Sequence, residues 1–363
     1  MSEAAESFMR EALRLARSGT GATYPNPCVG AVVVRGSMIV GRGRSAATGG
    51  PHAEVQALAQ AGAAARGATL YVTLEPCNHH GRTPPCVDAI LAAGITQVVV
   101  ALVDPAAHVG GKGIRRLRRH GLRVELGVLA DQAREVHAHY LHHVATQRPF
   151  VTLKLACSLD GKIATASGDS KWITGEPARR DAHRLRARHH AIAVGAATVL
   201  ADDPALDVRL VRGVDPLPIV FDPRLRVASA GRAFRLLRPG VIFLHGERAS
   251  QRARAALARS GAEGLEIASE DAGGLAIADA LAQLGQRNLR SLMVEGGGRL
   301  LAAFVRASAW QELWVYRAPV LLGAEARPGF AELGLERVAD APRLALLRRR
   351  TLGADELSVF GRA

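Results

Sequence analysis

Lysine, cysteine and aromatic side chains are all scarce in this chain of 363 residues. Only Lys112, Lys154, Lys162 and Lys171 are lysine, so nearly all of the 47 basic residues are arginine. Arginine is scattered through the chain, its densest runs being Arg115-Arg116-Leu117-Arg118-Arg119 and Arg348-Arg349-Arg350. A formal charge of +14 can attract nucleic acid, but an aromatic content of 4% leaves few rings on which bases could stack. The charge therefore reads as composition, or as a means of holding small anions, and no nucleic-acid partner is expected. Cys28, Cys77, Cys86 and Cys157 are too few and too irregular for a disulfide framework, which leaves metal binding or burial. No apolar run reaches the roughly 18 residues of a membrane span, and the acidic start Met1-Ser2-Glu3-Ala4-Ala5-Glu6 lacks a signal-peptide core. A cytoplasmic chain with no membrane partner is expected. With 48% hydrophobic and 22% charged residues, disorder, collagen and a small disulfide scaffold are excluded. At about 150 residues per domain, the length implies two.

Hydrophobic periodicity predicts a helix over Ala4–Arg17, then a buried strand Val29–Val34 and a hairpin partner Met38–Gly41. Helices His52–Ala64, Pro85–Ala93 and Gly113–His120 alternate with strands Ala68–Leu74, Gln97–Val103 and Arg123–Gly127, an α/β layered pattern. A helix Ala130–Ala145 ends at Thr146-Gln147-Arg148-Pro149, where proline forces an extended exit. The domain boundary is set there, giving domains 1–147 and 149–363. A second alternation follows, with strands Phe150–Leu155, Ala191–Val194, Pro218–Phe221, Val241–Leu244, Ser291–Val294, Glu312–Tyr316 and Asp355–Phe360. Its helices are Pro177–Arg188, Ala249–Arg259, Gly274–Leu284 and Leu300–Ala307.

The sharpest chemical signal is His52-Ala53-Glu54, followed by Pro76-Cys77 and Cys86. One imidazole and two thiolates suit Zn²⁺, and three protein ligands leave a fourth position for water, whose pKa such an ion lowers to near 7. Glu54, two residues past His52, can approach that water without ligating the metal and is the expected proton shuttle. Helix starts beside the ligands favour thiolates. This is the His-x-Glu … Pro-Cys pattern of zinc deaminases, except that Asn78–Pro85 separates the cysteines where the general signature has two residues. The alternatives are unrelated buried cysteines or a closed zinc site, whose further donor His79 or His80 could supply.

The segment Thr73-Leu74-Glu75-Pro76-Cys77-Asn78-His79-His80-Gly81-Arg82-Thr83-Pro84-Pro85-Cys86 resembles the hallmark of the bifunctional riboflavin-biosynthesis deaminase/reductases. So do Pro25-Asn26-Pro27 with Val29-Gly30, and His52-Ala53-Glu54. The resemblance implies a cytidine-deaminase-like three-layer domain followed by a dihydrofolate-reductase-like α/β domain. The first would hydrolyse the amino group of a diaminopyrimidinone carrying a ribosyl phosphate, with zinc on His52, Cys77 and Cys86 and Glu54 as proton donor. Asn26 would hold the pyrimidine, although turn chemistry between two prolines explains it equally well.

In the second half, Ser291–Val294 runs into Glu295-Gly296-Gly297-Gly298, where glycines would let backbone amides approach a phosphate. No Gly-x-Gly-x-x-Gly follows the first strand, so a standard dinucleotide fold lacks support. Leu153–Ala164, Ser170-Lys171-Trp172-Ile173-Thr174, Gly195–Thr198 and Leu200–Leu206 match the family's reductase half in order, so the resemblance runs from about Phe8 to about Gly323. It implies hydride transfer from NADPH to the ribosyl group. Ala156, Trp172, Thr198, Asp202, Pro223, Gly297, Gly298, Arg299, Leu300 and Leu301 map onto cofactor positions. Ser170, Arg186, Leu206, Arg209 and Glu295 map onto substrate positions, the two arginines suiting a phosphate monoester. A homo-oligomer built through this half is also implied.

Two departures stand out: Asp104-Pro105-Ala106-Ala107 lacks the usual Asn, and His137 replaces a common Asn. They leave room for a paralogue that serves another pathway or has lost one activity; a nucleic-acid deaminase is the remaining alternative. His137, His139, His142 and His143 are expected to form a solvated or interdomain helix face rather than a second metal site, and Cys28 and Cys157 to be core fillers.

Overall fold

The run Ala31-Val32-Val33-Val34 is buried along its whole length because both faces of its sheet are covered. Ala31 and Val33 share one apolar cluster with Ala53, Ala57 and Leu70, while Val32 and Val34 share another with Met9, Leu13 and Tyr71. This alternation builds a three-layer unit from a period-two strand. The computed structural model describes residues 3–270 and 273–362; Met1, Ser2, Asp271, Ala272 and Ala363 lie outside that description. The chain divides into two compact units, one ending at Gln147 and one beginning at Arg148.

The first unit runs α1 (Glu3–Gly19), β1 (Gly30–Arg35), β2 (Met38–Arg44), α2 (Ala53–Ala61), β3 (Thr69–Val72), α3 (Cys86–Ala92), β4 (Gln97–Val100), α4 (Lys112–Arg119), β5 (Arg123–Leu126), α5 (Ala130–Val136) and α6 (Ala138–Thr146). Its sheet has the order β2-β1-β3-β4-β5. β1 is antiparallel to both neighbours, and β3, β4 and β5 are parallel. Helix α2 sits hard on β2: a Cβ on Gly43 would lie 1.9 Å from the Ala53 carbonyl oxygen, so only glycine permits this approach. That contact fixes the helix start beside His52 and Glu54.

The single helix expected over Ala130–Ala145 is two. At His137 the backbone leaves helical geometry (φ −98°, ψ 11°), and the imidazole Nε2 lies 3.1 Å from Thr73 Oγ1. A buried imidazole needs a hydrogen-bond partner, and the helix yields to supply one. His137 and His143 are accordingly buried rather than solvated.

The second unit contains β6 (Phe150–Cys157), β7 (Lys162–Ala164), α7 (Glu176–Ala187), β8 (Ala191–Gly195), α8 (Ala196–Asp202), β9 (Leu217–Phe221), β10 (Ile242–His245), α9 (Gln251–Ser260), β11 (Glu263–Glu266) and α10 (Ile277–Gln286). It continues with β12 (Ser291–Glu295), α11 (Gly298–Arg306), β13 (Glu312–Arg317), β14 (Arg327–Pro328), β15 (Leu344–Leu352) and β16 (Asp355–Arg362). The main sheet has the order β11-β10-β9-β8-β12-β6-β13-β16-β15, and β7 pairs with β14 apart from it. Strands from β11 to β13 are parallel; β16 and β15 close the sheet antiparallel. Ile192, Val194 and Val220 face one cluster, and Ala191, Ala193 and Ile219 the other. The carboxyl ends of β6, β8, β9 and β12 therefore open at one edge of a covered sheet, where ligands of open α/β sheets bind. Strand β15 departs from the sequence reading. Its Leu-Ala-Leu-Leu-Arg-Arg-Arg run lacks polar alternation, and it is extended because β16 supplies its hydrogen bonds.

Candidate active sites

In the first unit, His52 is the extended residue that precedes α2, and Cys86 opens α3 directly after Pro85. His52 Nδ1 lies 3.1 Å from Cys86 Sγ and 3.6 Å from Cys77 Sγ, and the Cys86 N–H donates to Cys77 Sγ at 3.3 Å. All three donor atoms lie within 4.8 Å of one another. Bonds of about 2.0–2.3 Å to a tetrahedral zinc set neighbouring ligand atoms roughly 3.3–3.8 Å apart, so the donor set fits that ion. Among the described residues no other group of three His, Cys, Asp or Glu side chains comes this close. His79 and His80 are exposed, and the His79 ring meets His108 edge-on at 4.9 Å rather than joining the cluster. Among the described residues the site thus has three protein donors and no fourth His, Cys, Asp or Glu ligand.

Glu54 stands in the first turn of α2, 3% exposed, with its carboxyl beside the Cys86 side chain. Burial, with the charge of Cys77 adding to it, pushes its carboxyl up to about 7. The Cys86 side chain, and after it His52, hold the Cys77 thiol well below its ordinary range. Thr83 Oγ1, 3.4 Å from His52 Nε2, steadies the far side of the ring.

Glu75, which the sequence reading left without a role, is buried and accepts the N–H groups of Gly111 (2.9 Å), Gly113 (3.0 Å), Asp104 (3.3 Å) and Ile114 (3.3 Å). It thereby fixes the 104–114 segment two residues before Cys77. Ala106, lacking the usual amide side chain, still anchors this loop by donating its N–H to Asp104 Oδ1 at 2.9 Å, while Tyr140 donates to the same carboxylate. Asn26 is exposed; its backbone closes a turn with Thr23, and its side chain bonds to no described residue. Thr48 Oγ1 ties that turn to the segment leading into His52 by donating to the carbonyls of Thr23 (3.0 Å) and Tyr24 (2.9 Å).

In the second unit, Glu295 ends β12 between two cations: Lys154 Nζ at 2.8 Å from Oε1 and Arg186 Nε at 2.9 Å from Oε2. Burial alone would raise this carboxyl, but Arg186 and Lys154 more than offset it and hold it far below its ordinary value. Arg186 also donates to the Asp207 carbonyl at 3.0 Å, and Arg209 Nη1 pairs with the Asp207 carboxylate at 2.5 Å. Leu206, beside them, is buried in a left-handed backbone (φ +57°). Lys154 was missed as a site residue. A lone lysine inside the apolar run Val151–Cys157, in a chain with four, was the available signal.

Thr198 meets the glycine turn, its Oγ1 receiving the Gly297 N–H at 3.4 Å. A Cβ on Gly298 would lie 2.9 Å from the Pro328 carbonyl oxygen. Leu300 packs near Gly195, and Arg299 is exposed. Leu301 is fully buried core, so only its backbone can face a ligand. Ala156 is half-buried on β6, and Trp172 is 64% exposed with the Arg179 guanidinium 4.5 Å above its ring. Ser170, Asp202 at the exposed end of α8 and Pro223 after β9 make no hydrogen bond to the Glu295 cluster among the described residues.

A family described as the RibD C-terminal domain matches residues 149–357, and the cytidine and deoxycytidylate deaminase zinc-binding region matches residues 2–102. The riboflavin biosynthesis protein RibD of Escherichia coli K12 is 42% identical, covering 96% of this chain and 97% of its own. That of Aquifex aeolicus is 40% identical, with 98% of each chain covered. The chain belongs to the RibD family. RibD from Acinetobacter baumannii superposes with a TM-score of 0.88 at 38% identity over 99% of both chains. A diaminohydroxyphosphoribosylaminopyrimidine deaminase/5-amino-6-(5-phosphoribosylamino)uracil reductase from Thermotoga maritima gives 0.85 at 33% identity, again over 99% of both. RibD membership makes this a bifunctional enzyme of riboflavin biosynthesis, a zinc-dependent deaminase joined to an NADPH-dependent reductase. Its folds are cytidine-deaminase-like and dihydrofolate-reductase-like, and no helix among the described residues is long and apolar enough to cross a membrane.

Proposed function

We propose that the unit ending at Gln147 deaminates 2,5-diamino-6-ribosylamino-pyrimidinone 5′-phosphate at the His52–Cys77–Cys86 cluster, and that residues 149–363 reduce the product's ribosyl chain to ribityl. The observation that carries the reading is the convergence of three metal-donor atoms within 4.8 Å, with the buried Glu54 carboxyl against one of them. Bound zinc supplies a Lewis acid that makes water nucleophilic near neutral pH, and NADPH supplies a hydride. Glu54 takes a proton from the attacking water at its carboxylate and delivers it to the exocyclic nitrogen. The ring carbon gains oxygen and ammonia leaves, a role suited to a carboxyl that exchanges protons near pH 7. Asn26, its side chain open beside the His52 segment, orients the pyrimidine.

In the reductase half, Arg209 and Arg186 hold the phosphate, and Glu295, kept ionised by Arg186 and Lys154, binds ribosyl hydroxyls beside Ser170 and Leu206. The glycine turn Gly297–Leu301 with Thr198, Ala156, Trp172, Asp202 and Pro223 binds NADPH; backbone amides at the start of α11 suit its phosphates. The enzyme works in the cytoplasm as a homo-oligomer joined through this half, a reading supported by the exposed leucines Leu344, Leu346 and Leu347 of edge strand β15. Incubation with the phosphorylated diaminopyrimidinone tests both steps by product mass. Without NADPH the deaminated uracil accumulates, and with NADPH the ribityl product forms. Glu54→Ala retains zinc and reductase activity but loses deamination by 10²-fold or more; an unchanged deamination rate overturns the assignment.

A further inference from the structure

Helix α7 presents Arg180, His183 and Arg186 three residues apart, each a neighbour of the next on the helix surface. All three engage the backbone of one loop. Arg180 Nη1 donates to the Leu210 carbonyl (3.0 Å), Arg186 Nη1 donates to the Asp207 carbonyl (3.0 Å), and His183 Nδ1 accepts the Arg209 N–H (3.3 Å). An imidazole that accepts at Nδ1 carries its proton on Nε2. That Nε2–H has no hydrogen-bond partner among the described residues and is not one of the atoms sealed from solvent. Charged groups surround the ring: Arg186 from its own helix, Arg209 and Asp207 from the loop, and Glu295 from β12. Burial and then the two guanidiniums hold the imidazole down to about 4, so at neutral pH it is an uncharged donor.

We propose that His183 is a further substrate-binding residue of the reductase half, fixing the Arg209 backbone through Nδ1 and donating its Nε2–H to the substrate's phosphate. The proposal rests on the reading that Arg186 and Arg209 take that phosphate. A third full cation beside two guanidiniums would be repelled, whereas a neutral N–H adds a charge-assisted hydrogen bond without that repulsion.

Steady-state reduction of the phosphorylated uracil substrate and of its dephosphorylated counterpart tests this. His183→Leu raises KM for the phosphorylated substrate about tenfold or more, with a much smaller change for the dephosphorylated one. His183→Gln, which can accept at oxygen and donate at nitrogen, restores most of the discrimination. Equal losses on both substrates, or a fall in kcat alone, would make His183 a structural residue and overturn the proposal. If Arg209→Ala loses discrimination and His183→Leu does not, the proposal falls while the phosphate reading stands; if neither loses it, both fall. In the unmutated enzyme labelled with ¹⁵N-histidine, inorganic phosphate shifts the His183 Nε2 resonance. No shift at saturating phosphate also overturns the proposal.

Discussion

The two candidate sites of this chain are built on opposite electrostatic plans. The first gathers soft nitrogen and sulfur donors: His52 and Cys86 meet across 34 residues of sequence, with Cys77 and Glu54 beside them. The second closes full charges on one another, with Glu295 bridging Lys154 and Arg186 across 141 and 109 residues. A three-donor set is completed by an added ion, whereas the ion web balances much of its own charge and sets where its side chains stand. One site should therefore depend on its metal, and the other on its internal charge balance.

Chelation sharpens this contrast most. Stripping zinc lowers deamination by at least 10³-fold and leaves NADPH oxidation by the reductase half in place, as read by parallel assays on one preparation. A matching loss of reduction would show that the sites are not independent. Glu295→Gln attacks the other plan. It leaves the largely buried Lys154 without its counter-charge and Arg186 with Asp207 alone, which costs about 3–5 kcal/mol of stability in the second unit. Calorimetry should show that unit melting earlier, with reduction down about 100-fold and deamination retained. The smallest effect is common to both units. His137 in the first and His189 in the second are fully buried and held by burial at about 4, against an ordinary 6.5. Above pH 6.5 neither state binds the proton; between 6.5 and 4 only the unfolded chain does, so stability is lost as pH falls through that window. Each imidazole contributes up to about 1.4 kcal/mol per pH unit. Both melting midpoints should fall between pH 7 and 5, and His189→Asn should flatten the slope of the second unit alone.

Much of the fold was legible where apolar runs were long. Gly30–Val34 of the expected Val29–Val34, together with Ala191–Val194 and Ser291–Val294, lie in strands because both faces of each sheet are covered. Strand β15 was not legible, since its conformation comes from pairing with β16 rather than from a pattern of its own. The break at His137 was hidden for a related reason: the helical period continues through it, and only the distant Thr73 hydroxyl draws the imidazole inward.

By itself the sequence determined the chemistry of the first site, because few residue types can ligate zinc and His-x-Glu … Pro-Cys leaves little else to do with them. It also determined the order of two α/β units. Only the tertiary structure decided that Lys154, an unremarked residue of a strand, would neutralise Glu295, and that His183 would face the loop of Arg209. Charged residues are common and acquire meaning from what faces them. Here that facing was set by parallel strands, which bring distant carboxyl ends to one edge of a sheet.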